Sequence, residues 1–326
     1  MKAVVLTAPR RLAVVDDLPE PVPGPGDVVV ALEGLGVCGS DLSVHEGHRA
    51  VPATPWVVGH EAFGRIVATG SAVTGHAVGR RVVVEPNYAC LDCPDCRRGL
   101  TSACPHRAIV GMNAPGLLAE RFTVPAAFAH VVPEDLDVRE LAAFEPYVVA
   151  RTAVKRSGIA KGERALVLGA GAQGLLVSQS LLALGAEPVV VELHPERLAR
   201  AVALGATAAA AGDGDFLRLY ETTGAAPALA AALPRLAPGA TLTLIGLTPS
   251  PLPLTMEQVV RGQLTVQGSL IYDHPHDFRA ALDDVIADRV RPSVSLTTQY
   301  AFTDAPRAFA QARGQAGKTW IAGPGI

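Results

Sequence analysis

The chain is poor in several things at once. Aromatic residues make up 5% of it, and neither sign of charge prevails: 28 Lys and Arg stand against 31 Asp and Glu, a formal net charge of −3. No stretch approaches the roughly 20 apolar residues that span a bilayer, which argues against a membrane-spanning helix. The lack of basic excess removes the electrostatic footprint of a nucleic-acid binder. The opening MKAVVLTAPRRLAVVDD has no basic leader or cleavage site and reads as two alternating strands, so the expected compartment is the cytoplasm. Cysteine is scarce too, five in 326 residues. In a reducing compartment, cysteines grouped two residues apart read as metal ligands rather than disulfides.

What is present points to two domains, the prior for this length. Up to about residue 145 the chain offers short β-branched runs bounded by Gly and Pro: DVVVALEGLGVCGSD, GRIVATG, GRRVVVEP and ERFTVP. That texture is an all-β barrel or sandwich. From about 150 to 270 it becomes Ala- and Leu-rich and alternates strand with helix, which predicts a doubly wound parallel sheet. RALVLG, EPVVVEL, LRLYETTG and ATLTLIGL read as strands; GAQGLLVSQSLLALGA and HPERLARAVALGA read as helices, the second with Leu198 and Val202 on one face. Only GDGD separates HPERLARAVALGATAAAA from FLRLYETTG. A parallel crossover needs a dozen or more residues, so the edge strand and its helix are expected to be missing or vestigial, leaving about five strands. The final segment carries one helix, PHDFRAALDDVIADRV, and short strands.

LVLGAGAQG contains Gly169-x-Gly171-x-x-Gly174. Alone this pattern is weak. Here it follows a strand, opens a helix, and is followed about 20 residues on by the acid Glu192, the full context of a dinucleotide fingerprint. Gly169 allows the tight turn, Gly171 lets backbone approach pyrophosphate, and Gly174 lets helix and strand pack closely. The helix N-terminus offers free N–H groups to phosphate. Glu192 would accept hydrogen bonds from the adenosine ribose hydroxyls and repel a 2′-phosphate, so NAD is expected over NADP.

YACLDCPDCRRGLTSACP holds Cys90, Cys93, Cys96 and Cys104 in the spacing C-x2-C-x2-C-x7-C. An iron–sulfur ferredoxin run needs a final gap of three, and a nucleic-acid zinc ribbon fits poorly with an acidic chain. Four thiolates on one zinc form a closed, tetrahedral, structural site with no position for substrate. Arg97 and Arg98 lie in the same loop and either offset its negative charge or are solvated. Elsewhere GVCGSD supplies Cys38, Ser40 and Asp41, GHE supplies His60 and Glu61, and FEP supplies Glu145. Each alone is unremarkable, since a single Cys is usually a small buried hydrophobe.

The order GVCGSD, GHE, four-cysteine lobe, FEP and GxGxxG resembles the zinc-dependent medium-chain alcohol dehydrogenase family, and VVVEPNYAC and FEP are most similar to its sorbitol, threonine and aminocyclitol branches. The resemblance covers nearly the whole chain. It implies a GroES-like β-barrel catalytic domain over 1–147 with a zinc lobe at 86–106, a Rossmann domain over 148–269, and a segment 270–326 returning to the catalytic domain. It implies two zinc ions per chain, one catalytic and one structural, with the catalytic ion held by Cys38 and His60 and by Glu145 or Glu61. It further implies that Ser40 takes the substrate proton and that Asp41 holds the ligand His60. Where many members carry a relay His five residues after the Cys this chain has Ser43, with His45 and His48 nearby. By the same resemblance Arg197 lies near the adenosine ribose and Lys318 near the pyrophosphate. Trp56, Tyr88, Asn113, Arg151 and Tyr272 are candidates either for the pocket lining or for ordinary packing.

The function expected is hydride transfer between NAD and a secondary alcohol or ketone, with a polyol, sugar or cyclitol as substrate and a homodimer or homotetramer as the assembly. An amino alcohol such as threonine is the alternative substrate. A zinc-free quinone reductase would lack Cys38 and His60, and a non-enzymatic NAD- or zinc-binding interaction module would have no use for an open Cys/His/Glu set.

Overall fold

The computed structural model of the protein describes residues 1–325 and divides into two compact units. One comprises Met1–Glu145, Asp273–Ile286 and Arg291–Ile326, the other Pro146–Tyr272 and Ala287–Val290. No helix among the described residues is long and apolar enough to cross a membrane.

The first unit is built on β-strands. Ala3–Ala8 and Arg11–Val15 form the antiparallel pair read from the opening residues. The main sheet runs in the order Ala129–Val131, Arg81–Val84, Glu61–Thr69, Asp27–Gly36, Lys318–Ala322, Leu296–Tyr300, with Arg121–Pro125 also paired to Asp27–Gly36. Asp27–Gly36 is its spine. Val28, Val30 and Leu32 alternate into a core with Ile66, Val82, Val84, Phe122, Val124 and Ile321, as a strand's period of two requires. Its register sets the chemistry: Gly36 lies opposite Glu61 on one side and Trp320 on the other. The helix His276–Ile286 buries Phe278 against Phe144, ring centroids 5.0 Å apart.

The second unit is a wholly parallel sheet in the order Thr207–Ala208, Glu187–Val191, Arg164–Leu168, Phe216–Glu221, Leu236–Leu244, Thr265–Gly268. Leu166, Leu168, Val189, Phe216, Leu219 and Leu242 fill one of its faces. The edge strand is reduced to the two residues Thr207–Ala208, and no helix separates it from Phe216. The remaining path spans three strand spacings, about 14 Å at ~4.8 Å each. Seven residues can reach about 24 Å, enough because the strand is too short to need a long return. The turn is tied down by charge. Asp213 accepts from the Ala210 amide at 2.7 Å and pairs with Arg164 at 3.2 Å, while Arg235 donates to the Asp213 and Ala210 carbonyls at 2.9 Å each.

The helix Pro195–Leu204 forms as its periodicity predicts, but its buried residue is Ala201; Leu198 is half-buried and Val202 is 48% exposed. The four-residue spacing of Leu198 and Val202 therefore marks a shared flank rather than a buried stripe. The residues FEPYVVARTAVKRS, read at the sequence level only as a boundary, form the helix Phe144–Ser157 with Pro146 in its first turn, where the missing N–H costs nothing.

Candidate active site and cofactor loop

Cys38, His60 and Glu61 bring one sulfur, one ring nitrogen and one carboxylate oxygen within 4.8 Å of one another. The short helix Gly39–His45 starts directly after Cys38, and its first turn carries Asp41, 1% exposed. Asp41 works in two directions. Its Oδ2 accepts from the Cys38 backbone N–H at 3.0 Å, and its Oδ1 meets His60 Nδ1 at 2.8 Å. A carboxylate on Nδ1 fixes the ring and leaves Nε2 for another partner. Burial pushes the His60 imidazole down, but the Asp41 charge and hydrogen bond, with Cys38 beside it, more than offset this, and the net shift is well upward.

Glu61 is 2% exposed, and its Oε1 has no hydrogen-bond donor among the described residues. Its other oxygen forms an ion pair with the Lys318 ammonium, which also donates to the Val37 carbonyl at 3.0 Å. Burial lowers the Lys318 ammonium, and Glu61, Cys38 and Glu145 together raise it above its ordinary value. Gly36 makes this crowding feasible, since a Cβ there would sit 2.5 Å from the Ala142 carbonyl and 2.8 Å from Lys318 Cε. Glu145 is buried in the first turn of Phe144–Ser157, outside the mutually close Cys38, His60 and Glu61 set. A soft sulfur, an imidazole whose tautomer is fixed, and a carboxylate with an orphan oxygen form a donor set suited to zinc.

Ser40 is half-buried in the first turn of its helix. Ser43 donates to the Gly39 carbonyl at 3.1 Å. His45 is buried against Phe309, ring centroids 5.8 Å apart, and burial lowers its imidazole. Five residues on, it stands about 140° around the helix from Ser40. His48 is exposed near Glu46.

The four-cysteine loop closes on itself. The sulfurs of Cys90 and Cys96 are 4.0 Å apart, Cys93 and Cys104 3.9 Å, and Cys104 and Cys90 3.6 Å. A tetrahedron of sulfurs about 2.3 Å from one ion has edges of about 3.8 Å. The thiols also conflict with one another. Amides of Asp92 and Cys93 lower Cys90 to about 6, while burial and the neighbouring thiols push Cys96 up to about 12. A divalent cation resolves the conflict by stabilising all four as thiolates. Arg97 and Arg98 pair with Asp92 and Asp95, each at 2.7 Å, rather than with sulfur.

In the second unit, Gly169 has φ +94 and Gly174 lies so close that a Cβ would strike the Gly169 carbonyl oxygen. Gly171 caps the helix Ala172–Ala183 and has nothing within 4 Å of where a Cβ would be, so its backbone is open to a ligand. Glu192 stands just past Glu187–Val191 and accepts from the Ala170, Leu193 and His194 amides at 2.7, 2.8 and 2.8 Å. That network aims its carboxylate at the glycine loop. Arg197 is half-buried on the next helix.

Other candidates have structural work. Trp56 donates to the Gly111 carbonyl at 3.1 Å, and Asn113 closes a turn through Ile109 and Arg107. Tyr88 packs on Phe128 at 4.9 Å, and Tyr272 is 1% exposed.

The chain is similar to known proteins over both of its units. Residues 24–134 match the family described as alcohol dehydrogenase GroES-like domain, and 172–287 match zinc-binding dehydrogenase. A probable D-xylulose reductase A of Aspergillus clavatus is 31% identical, with 92% of this chain and 90% of the relative covered. An uncharacterized zinc-type alcohol dehydrogenase-like protein of Haemophilus influenzae is 33% identical over 63% of this chain, and that match spans 60% of the relative's length. The crystal structure of an Escherichia coli protein described as a short chain alcohol dehydrogenase, complexed with NADH, superposes with a TM-score of 0.92 at 25% identity, covering 99% of each chain. The chain belongs to the zinc-dependent medium-chain alcohol dehydrogenase family, a family of oxidoreductases.

Proposed function

We propose that the protein is an NAD-dependent dehydrogenase of a polyol, sugar or cyclitol secondary alcohol, with Cys38, His60 and Glu61 holding the catalytic zinc. The carrying observation is the convergence of Cys38, His60 and Glu61 around an orphan buried Glu61 oxygen, with Asp41 gripping both ligand-bearing segments. Bound zinc supplies a Lewis acid that makes a substrate hydroxyl more acidic, and bound NAD supplies the hydride acceptor. The chain's own groups do the rest. Ser40 takes the hydroxyl proton as it releases its own to solvent, Asp41 holds the His60 tautomer, and Lys318 balances the surplus negative charge of Glu61 and Glu145. Glu145 is the buried carboxylate next to this set and the alternative third ligand. Cys90, Cys93, Cys96 and Cys104 hold the structural zinc, and Arg97 and Arg98 balance Asp92 and Asp95 rather than the thiolates.

Gly169, Gly171, Gly174 and Glu192 form the cofactor loop, with Arg197 near the adenosine. Glu192 sets the preference for NAD, because a carboxylate repels a 2′-phosphate. The substrate class follows the relative named for the reduction of a ketose and the sequence likeness to the sorbitol branch. The domain assignment is a catalytic unit carrying the zinc residues and a cofactor unit carrying the glycine loop. Thiol ligands suit the reducing cytoplasm, and small alcohols, not nucleic acid or membrane, are the partners. Assembly as a homodimer or homotetramer has support in the edge strand Thr265–Gly268 and in Leu247, Met256 and Val260, which are 82%, 87% and 74% exposed. Large exposed apolar patches mark interaction sites.

The test is absorbance of NADH with polyols, cyclitols and amino alcohols, in parallel with NADP and with metal analysis. Turnover of polyols with a lower KM for NAD is expected. Turnover confined to threonine-like substrates would move the protein to the amino-alcohol branch, and a lower KM for NADP would remove the role given to Glu192.

A further inference from the structure

A third cluster in the first unit shares no residue with either set of zinc residues. Glu85, just after the strand Arg81–Val84, is 1% exposed. One of its oxygens, Oε2, meets His130 Nε2 at 2.8 Å and His274 Nδ1 at 2.9 Å. His130 comes from the strand Ala129–Val131, and His274 from the segment that brings the chain back into this unit. The three ligand atoms lie within 4.8 Å of one another. The walls are apolar: Phe278 packs on His130 and Phe128 on His274, each at 4.5 Å between centroids. The neighbours hold the segment in place, the His274 amide donating to Thr101 Oγ1 at 2.7 Å and the Ser102 amide to Asp273 Oδ1 at 2.9 Å.

We propose that Glu85, His130 and His274 form a third metal site, for a divalent ion of the zinc class. Two imidazoles and a carboxylate are a known zinc donor set that leaves a further position for water. The spacing needs little change. Two ligand atoms 2.0–2.1 Å from a tetrahedral ion are about 3.3 Å apart, so each ring nitrogen draws back from Oε2 by about half an ångström on binding. Glu85 is buried, and its ion-pair partners among the described residues are the two histidines alone, so a bound cation would supply the positive charge that a buried carboxylate calls for. On binding, each ring nitrogen now facing Oε2 gives up its proton, to the ring's other nitrogen or to solvent, and presents its lone pair to the ion. The ligands lie 45 and 189 residues apart from Glu85, so the ion would staple the returning segment to the sheet.

The test is metal counting on the full-length protein, loaded with Zn²⁺ alone, freed of excess ion by gel filtration, and measured by mass spectrometry of the elements. Glu85→Gln and, separately, His274→Asn are each expected to bind one ion per chain fewer than the wild type. Cys38→Ser is expected to lose a different ion, so that Cys38→Ser combined with His274→Asn loses two. The difference decides the matter whatever the count at the other sites. Equal zinc in wild type and folded variants overturns the proposal. Should Glu85→Gln fail to fold, the less buried His274→Asn gives the same reading.

Discussion

A single methyl group at residue 36 tests how tightly the zinc residues are packed. Gly36 faces Glu61 across one ladder, and an added Cβ would press on the Ala142 carbonyl and Lys318. Gly36→Ala is expected to cost about 1–3 kcal/mol as an overpacked core position. Its specific signature is loss of one zinc per chain, which elemental analysis beside a melting curve would detect. Ser40→Ala asks a different question. Removal of a proton-transfer group lowers kcat by about 10²–10⁴-fold, while NAD affinity, read by fluorescence titration, should hold. Unchanged turnover would remove Ser40 from the relay. At this scale the sequence was legible where a motif concentrates residues: Cys38 and Asp41 are three apart, and His60 and Glu61 adjacent. Lys318 was harder. Its pairing with Glu61 depends on the register of Lys318–Ala322 against Asp27–Gly36, nearly 300 residues away, and GKTW carries no sign of it. Glu85, His130 and His274 carry no shared motif either, because only folding brings them together.

Among the elements, the helix Val138–Ala142 is pinned through a buried acid. Glu140 accepts from the Ser293 amide at 2.8 Å and its hydroxyl at 2.6 Å. Burial raises its carboxyl above the ordinary value, and the Ser293 hydrogen bonds only partly oppose this. The folded state therefore holds the proton more tightly than the unfolded chain. The contribution is fully present below the unfolded pKa of about 4.3 and is lost as the pH rises through the higher folded value. Glu140→Gln cannot ionise, so its melting temperature relative to wild type should be more favourable at pH 7 than at pH 4. A constant difference across that range would refute the assignment. Strands and helices were read most securely where apolar runs are bounded by Gly or Pro, as in RALVLG and ERFTVP. The helix Phe144–Ser157 escaped because its proline lies inside the first turn, where it begins a helix instead of ending one.

At the scale of the whole molecule, the GDGD interval gave away a topological fact, the loss of a full edge strand, because chain length limits what a crossover can span. The path that replaces it was not legible, since it depends on Arg164 and Arg235 closing on Asp213 and its turn. The shortened strand also decides how the sheet meets other chains. Ala209 donates to the Val190 carbonyl, so Val190 faces the bare flank, and Pro188, two residues back, faces it too. A proline offers no N–H, and a two-residue strand offers no ladder, so this flank resists extension by a stray strand. The opposite flank, Thr265–Gly268, has no such guard. Pro188→Thr should restore a donor on the blunted side and raise light scattering on mild heating, with catalytic competence retained in the soluble fraction. The shortened strand thereby acts as a safeguard against misassembly, making the sheet sticky on one side only.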